Sequence, residues 1–402
     1  MKHSPSVWTV MLALLGVHLA GMGVFLAVPV LATAIAAEAG IPAALAGIHT
    51  GLVYGGALVS GPLAGAFIHR YGGIRVLQAG LTFCGLALAV SVLAHPVALA
   101  VSAFACGVGH GPVTPAGSHL LAQRTPANRR SLIFSLKQCG VPAGSMLVAA
   151  VTPVIAAAFG WRAGILAVSA LLVTAAVVLQ PLRKPLDAER DRAARLGNLR
   201  SIWTAALGSL AILRHLPLLR RLTMMSALYG VSQFCFSSFF VVFQVEALGV
   251  PLTEAGFRLA LAQGAGVAGR VCWGIAADRA GARPVLVGLG LATAASGLAL
   301  LLAGPAWPGV LVTLAGMAMG ATAIGWNGVF LAETARLAPH GKVGATTAAA
   351  GFVFGACMLV GPPAFSALVQ ASGGYGLGFG LCAATALLGA GLMLGGRAVA
   401  KP

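Results

Sequence analysis

Runs of about twenty apolar residues recur along this chain of 402 residues, and they restrict its fold more than any other feature. In lipid, every backbone amide and carbonyl must be satisfied within its own segment, so such a run crosses a membrane as an α-helix. Taking Gly, Pro and charged residues as boundaries, we predict twelve spans at 8–33, 43–68, 75–94, 97–122, 131–158, 161–181, 221–246, 253–277, 284–303, 308–335, 342–370 and 375–396. The chain is 59% hydrophobic and only 8% charged, against about 25% charged in an average soluble domain. Lys2 ahead of the first run imitates a secretory signal, but the run is too long for one and is kept as a helix.

An even number of spans puts both termini on one side. That side receives all 25 Lys and Arg except Lys137, Arg162, Arg258 and Arg270, so it is predicted to be the cytoplasm. The net charge of +17 is then explained by topology and by attraction to anionic lipid at the cytoplasmic face, and no nucleic-acid partner is required. The 7 cysteines all fall within spans and are expected to be free thiols, with no metal site.

A short motif occurs twice, as Gly65-Ala66-Phe67-Ile68-His69-Arg70-Tyr71-Gly72 and as Gly274-Ile275-Ala276-Ala277-Asp278-Arg279-Ala280-Gly281, each followed by an arginine, Arg75 or Arg283. A second repeat sets Pro126 against Pro339 and Arg129 against Lys342. The chain therefore reads as a duplication: a six-helix bundle over 1–182, a linker over 183–218 and a second bundle over 219–402. The linker holds a mixed charged run from Arg183 to Arg195, expected to behave as a plain connector. Leu199, Ile202, Trp203, Leu207 and Leu210 follow at helical spacing, suited to a helix on the inner membrane surface.

Twelve spans in two halves, a basic central linker and the duplicated G-x-x-x-[D/H]-R-x-G together resemble the major facilitator superfamily over nearly the whole chain. The resemblance implies an all-α membrane protein of two pseudo-symmetric six-helix bundles, working as a monomer, whose halves rock around a central cavity. It also associates the motif loops with stabilising one gate state. Asp278 is placed to accept from a helix N-terminus, Arg279 and Arg270 to meet carboxylates or helix-end carbonyls, and Glu333, three residues before Arg336, to serve as the acidic partner. Gating residues are thus expected at His69, Arg70, Arg75, Arg270, Asp278, Arg279, Arg283, Glu333 and Arg336. The first copy departs from the pattern, with His69 for the acid and Leu120 aligned with Glu333. Its latch is expected to be weaker, or pH-sensitive through His69; a histidine that merely sits at the lipid headgroups is the alternative.

Cargo is read from the polar residues inside the spans. No carboxylate falls near the midplane, which argues against organic cations and against proton coupling through a central acid. Lys137, seven residues past Arg130, lies about 10 Å into the membrane without an acid in its own half at that depth. Such a lysine snorkels, loses its proton, pairs across the cavity or meets an anionic substrate. His18 lies about 15 Å deep. With Gln138, Tyr54, His110, Tyr229, Gln233, Gln263 and Asn327, in spans that line the cavity in the superfamily, these residues form the candidate substrate set. Each one taken alone is also explained by a hydrogen bond between helices.

No P-loop, H-E-x-x-H or Cys-pair motif suggests an enzyme or a bound cofactor. The expected function is a secondary transporter of the cell inner membrane that moves a small organic anion, in particular a carboxylate, by alternating access, with a coupling proton left open. Two rivals remain: an efflux carrier for drugs or neutral metabolites, and a non-transporting receptor or assembly factor on the same fold.

Overall fold

The computed structural model describes residues 5–126, 129–194, 196–339 and 342–395. Lys2, Arg195, Arg397 and Lys401, which contribute to the predicted charge asymmetry, lie outside the described residues. Every regular element among those described is helical. Contacts divide the chain into two compact units, residues 1–204 with 238–260 and residues 205–237 with 261–402.

In the first unit spans 1, 2, 4 and 5 are broken into pieces. Span 1 comprises α1 (Val7–Gly21) and α2 (Gly23–Val30) and is followed by α3 (Ala32–Ala39); span 2 comprises α4 (Ala46–Ser60) and α5 (Ala64–Tyr71); span 3 is α6 (Gly73–Ala89). Span 4 comprises α7 (Pro96–His110) and α8 (Val113–Ala122), span 5 comprises α9 (Arg130–Gln138) and α10 (Gly140–Phe159), and span 6 is α11 (Trp161–Val178). The breaks in spans 4 and 5 follow from proline. Pro112 and Pro142 have no N–H to offer the carbonyl four residues earlier, so the helix is interrupted at Gly111-Pro112 and at Cys139. These interruptions lie inside the predicted spans, where apolar length alone gave no sign of them.

The linker is more ordered than its charged composition suggested: α12 (Gln180–Leu186), α13 (Leu199–Ser209) and α14 (Ala211–His215) follow in sequence. The remaining helices are α15 (Pro217–Leu248), α16 (Leu252–Ala280), α17 (Ala282–Leu302), α18 (Gly309–Ala323), α19 (Asn327–Leu337), α20 (Val343–Ser372) and α21 (Gly376–Leu394). Among the described residues, eleven helical segments are long and apolar enough to cross a membrane. The predicted eighth span is α16, whose 29 residues suffice in length but whose apolar run is interrupted by Gln263 and Arg270.

The duplication is visible in packing. In the first unit α4 lies against α7, and a Cβ added at Gly107 would collide with the Val53 carbonyl. In the second unit, Gly320 of α18 presses in the same way on the Ala262 carbonyl of α16. Only a residue without Cβ permits this approach of backbones, as small residues do at helix contacts in membranes. The second unit then closes on an apolar and aromatic core that includes Tyr229, Leu286, Trp326, Phe330 and Ala350.

Candidate functional site

The first unit buries a lysine and a histidine where α1, α8, α9 and α10 meet. Two glycines make the meeting possible. A Cβ at Gly140 would lie 2.6 Å from the Leu15 carbonyl and 3.0 Å from His18 Cβ, and one at Gly144 would overlap the Leu19 backbone, so α10 packs directly on α1. This seats Lys137 inward at 1% exposure. Its Nζ donates to Ser118 Oγ at 3.0 Å and stands 5.7 Å from the Phe134 ring centre. His18, also buried, donates from Nδ1 to the Leu14 carbonyl at 2.9 Å. The two groups converge on one point: a Cβ at Gly117 would be 3.8 Å from Lys137 Nζ and 3.9 Å from His18 Cε1.

The energetics of this arrangement are lopsided. Burying an ammonium costs several kcal/mol. A charge-assisted hydrogen bond returns about 1.5–3 kcal/mol and a ring face about 1 kcal/mol. The other three basic residues outside the predicted cytoplasmic set have different solutions. Arg162 pairs with Glu38, Arg258 pairs with Glu254 at 2.5 Å, and Arg270 Nε donates to the Ile324 carbonyl at 3.3 Å. Among the described residues no carboxylate pairs with Lys137.

The remaining candidates separate into groups. In the first unit Tyr54 and His110 gather around Phe25, with ring centres 5.1 and 4.9 Å from it, the histidine meeting it edge-on. Phe25 lies two helical turns beyond His18. Gln138, next to Lys137, is half-buried. In the second unit Asn327 Nδ2 donates to Gln233 Oε1 at 3.1 Å, and Gln263 Nε2 donates to Ser237 Oγ at 3.2 Å. Tyr229 lies one helical turn from Gln233, and its ring meets that of Trp326, the neighbour of Asn327, at 6.0 Å. It is buried, its hydroxyl donates to the Leu286 carbonyl at 2.7 Å, and its ring lies against Gly290 and Gly389, a position between helices that serves packing.

Sequence reasoning missed three polar features of the first unit. Ser118, the partner of Lys137, reads as one more small residue of span 4. Thr50 and Ser238, both buried, share a hydrogen bond of 2.8 Å across 188 residues, which local patterning cannot reveal. His49 is buried with neither ring nitrogen bonded to protein among the described residues, and it shares a helical face with Val53, Gly56 and Ser60. Its only signal was a polar residue in an apolar run.

The two motif loops are built differently. In the first, Asp187 of the linker is 1% exposed and caps α6, Oδ1 accepting from the Ile74 N–H at 2.9 Å and Oδ2 from the Arg75 N–H at 3.1 Å. A side chain at Gly72, whose φ of 91° already favours glycine, would collide with that carboxylate. Burial pushes the Asp187 carboxyl above its ordinary range, while the Ile74 and Arg75 amides pull it back. Arg70 donates to the Ala194 carbonyl, Arg124 to Pro185 at 3.4 Å, and the His69 carbonyl accepts from the Asp191 N–H at 3.0 Å. The charged run expected to be a plain connector is therefore docked on the loop, because its carboxylate satisfies amides that α6 leaves open. Arg75 reaches Gln78 at 3.4 Å, and Gln78 donates to the Ala176 carbonyl of α11 at 3.0 Å.

In the second loop Asp278 and Arg279 are exposed, and Asp278 makes no ion pair among the described residues. Glu333 instead pairs with Arg336 on its own helix at 2.6 Å. Arg283 Nε donates to the Met393 carbonyl at 2.5 Å, and its guanidinium also reaches Leu394, closing the end of α21. At the ends of spans remote from the loops, Arg162 bonds Glu38 and the Val92 carbonyl while Trp161 Nε1 donates to Glu38 at 3.0 Å. The Arg162 and Trp161 donors hold the Glu38 carboxyl below its usual range.

Comparisons with known proteins agree with this architecture. The profile of the Major Facilitator Superfamily matches residues 13–362. Among curated proteins, the chain is 30% identical over 128 residues to a probable chloroplastic anion transporter 4 of Oryza sativa subsp. japonica, a stretch covering 31% of this chain and 22% of that protein. It is 35% identical over 130 residues to the 4-hydroxybenzoate transporter PcaK of Pseudomonas aeruginosa, 32% of this chain and 28% of the relative, and 30% identical over 122 residues to the chloroplastic ascorbate transporter of Arabidopsis thaliana, 29% and 22%. The matched stretches thus span about a quarter of these relatives. Among solved structures, a D-xylose-proton symporter superposes with a TM-score of 0.78 at 18% identity, covering 97% of this chain and 98% of that one, and a POT family transporter in complex with 5-aminolevulinic acid with 0.74 at 13%, covering 96% and 95%. A helical chain with many spans, matched by one profile from its first span into its eleventh, is a multi-pass membrane protein belonging to the Major Facilitator Superfamily.

Proposed function

We propose that this transporter moves a small organic anion, a carboxylate, across the cell inner membrane by alternating access, with Lys137 as the anion anchor. The observation that carries the reading is the burial of Lys137 Nζ on a hydroxyl and a ring face, beside His18 and with no paired carboxylate among the described residues. An arriving carboxylate supplies the charge compensation that the protein leaves incomplete. Gln138 lies beside the anchor, and Phe25, Tyr54 and His110 offer an aromatic surface two turns along span 1, suited to an acid carrying a ring. Gln233, Asn327 and Gln263 offer neutral hydrogen-bonding groups in the second unit. His69, Arg70 and Arg75 in one loop, and Arg270, Asp278, Arg279, Arg283, Glu333 and Arg336 in and around the other, belong to the gate.

The names of the relatives, which speak of anions, 4-hydroxybenzoate and ascorbate, support the same class of cargo. The test is uptake into proteoliposomes of labelled 4-hydroxybenzoate and ascorbate beside the neutral 4-hydroxybenzamide. Saturable uptake of an acid with little uptake of the amide is expected. Equal uptake of the amide points to a carrier of neutral compounds, and absence of any flux points to a membrane protein that does not transport.

A further inference from the structure

We infer, on the reading of Lys137 as the anion anchor, that His18 is a proton-binding site coupled to the anion, so that cargo and proton are taken up together. Among the described residues the carboxylates are placed elsewhere. Glu38 and Glu254 are engaged by Arg162 and Arg258, Glu333 by Arg336, and Asp187, Glu189 and Asp191 lie in the linker, while Glu246 and Asp278 are exposed near the ends of α15 and α16. His18 has the geometry to hold a proton instead. Because the Leu14 oxygen is a carbonyl, Nδ1 must be the donor in their 2.9 Å hydrogen bond. In the neutral ring this fixes the proton on Nδ1, so Nε2 is the atom that receives the second proton. The same helix turn that orients the ring therefore also selects its titrating edge.

Lys137 supplies the coupling. Its ammonium and the His18 ring both stand within 4 Å of one point above Gly117. Two positive charges gathered beside Gly117 repel each other in a site from which water is largely excluded. An anion held by Lys137 cancels the repulsion and adds an attraction of its own, so the anion favours the proton, and by linkage the proton favours the anion by the same factor. The proton comes from water and returns to it when the anion leaves. No covalent bond is made.

Other titratable groups near His18 are few. Lys137 faces it from α9, and Cys139 is half-buried at the junction of α9 with α10. His119 on α8 is exposed, and α10 carries no ionisable side chain. Arg162 on α11 is held by Glu38, while α6 contributes Arg75 at its loop end and the buried Cys84. His110 at the end of α7 is the other imidazole in reach, its Cε1 3.3 Å from where a Cβ of Gly21 would stand. That is nearly one turn along α1 from His18, towards Phe25 and away from the lysine.

The test uses the purified full chain in detergent, 4-hydroxybenzoate as probe, and a pH-indicator dye in weak buffer. At pH 7.5 the wild type is expected to take up as much as one proton for each probe molecule bound, and its Kd to rise towards tenfold per pH unit above neutrality. His18→Gln, binding more weakly at low pH, takes up fewer protons per probe molecule than the wild type, and its Kd rises less steeply over the same range. Proton uptake undiminished in His18→Gln assigns the proton to another group and overturns the proposal. Probe binding to the wild type without proton uptake overturns it whatever the variant does. A wild type that binds neither this acid nor ascorbate overturns instead the anion reading beneath it.

Discussion

The interiors of the two units carry different chemistry on a repeated frame. With Pro126 set against Pro339, Lys137 of span 5 falls opposite Ala350 of span 11. Lys137 is buried beside Ser118 and His18, whereas Ala350 is buried in an aromatic core with Trp326 and Tyr229. Where the first unit places a charge, the second places amides, Gln233 on Asn327 and Gln263 on Ser237. Duplication preserved the backbone contacts, as Gly107 on Val53 and Gly320 on Ala262 show, while the polar groups diverged. The loops diverge in the same way. The first takes its helix-capping carboxylate from the linker residue Asp187. The second exposes Asp278 and places Pro284, which has no N–H to be capped, near the start of α17.

The largest expected effect comes from forcing the two interiors to be alike. Ala350→Lys introduces a charge where no Ser118 or His18 awaits it, and should destabilise the second unit by about 3–5 kcal/mol. The readout is thermal unfolding in detergent; a small loss would mean that the two environments are less different than their packing indicates. The loops come next. Asp187→Ala removes a carboxylate that caps two amides and should cost about 0.5–2 kcal/mol, whereas Asp278→Ala should stay within about 0.5 kcal/mol of wild type. Asp187→Asn keeps an acceptor while removing the buried charge, so it should lose less than alanine does.

A smaller effect is expected from the neutral pair. Gln233→Ala deprives Asn327 of a hydrogen bond worth about 1 kcal/mol, so KM for an accepted acid should rise up to about fivefold with its pH dependence unchanged. An altered pH profile would show that the amides are part of the charge system. The smallest effect concerns Glu38. Because Arg162 and Trp161 lower its folded-state pKa, the clamp contributes stability above pH 4.5 and loses it as pH falls through the folded value. The Tm gap between wild type and Glu38→Gln should therefore close on acidification; a gap that widens would contradict the sign.

Much of this was legible in the sequence because lipid permits few solutions. Apolar length gave the spans, and a lysine such as Lys137 stands out against an apolar background. What stayed hidden depends on tertiary partners. Asp187 sits in a mixed charged run that looks like solvated linker, and only the fold brings it to the open amides of α6. Tyr229 has the composition of a cavity residue, but its hydroxyl is engaged by Leu286. Gln138 and His18 stand out in the sequence as polar residues inside apolar runs, whereas Ser118 was passed over because small residues are common there. The interruptions at Cys139 and Gly111-Pro112 follow from proline, yet periodicity alone carries a helix through them.

Lys137, on this view, is retained for an anion at a cost in stability. Lys137→Met fills the same volume without the charge, so it separates the two roles. Thermal unfolding of wild type and Lys137→Met, with and without 4-hydroxybenzoate, tests this most directly. The variant should unfold at the same or a higher temperature than wild type and lose the stabilisation by the acid that wild type shows. A variant that unfolds earlier yet retains the full shift with the acid would make Lys137 a structural residue and contradict its role as the anion anchor.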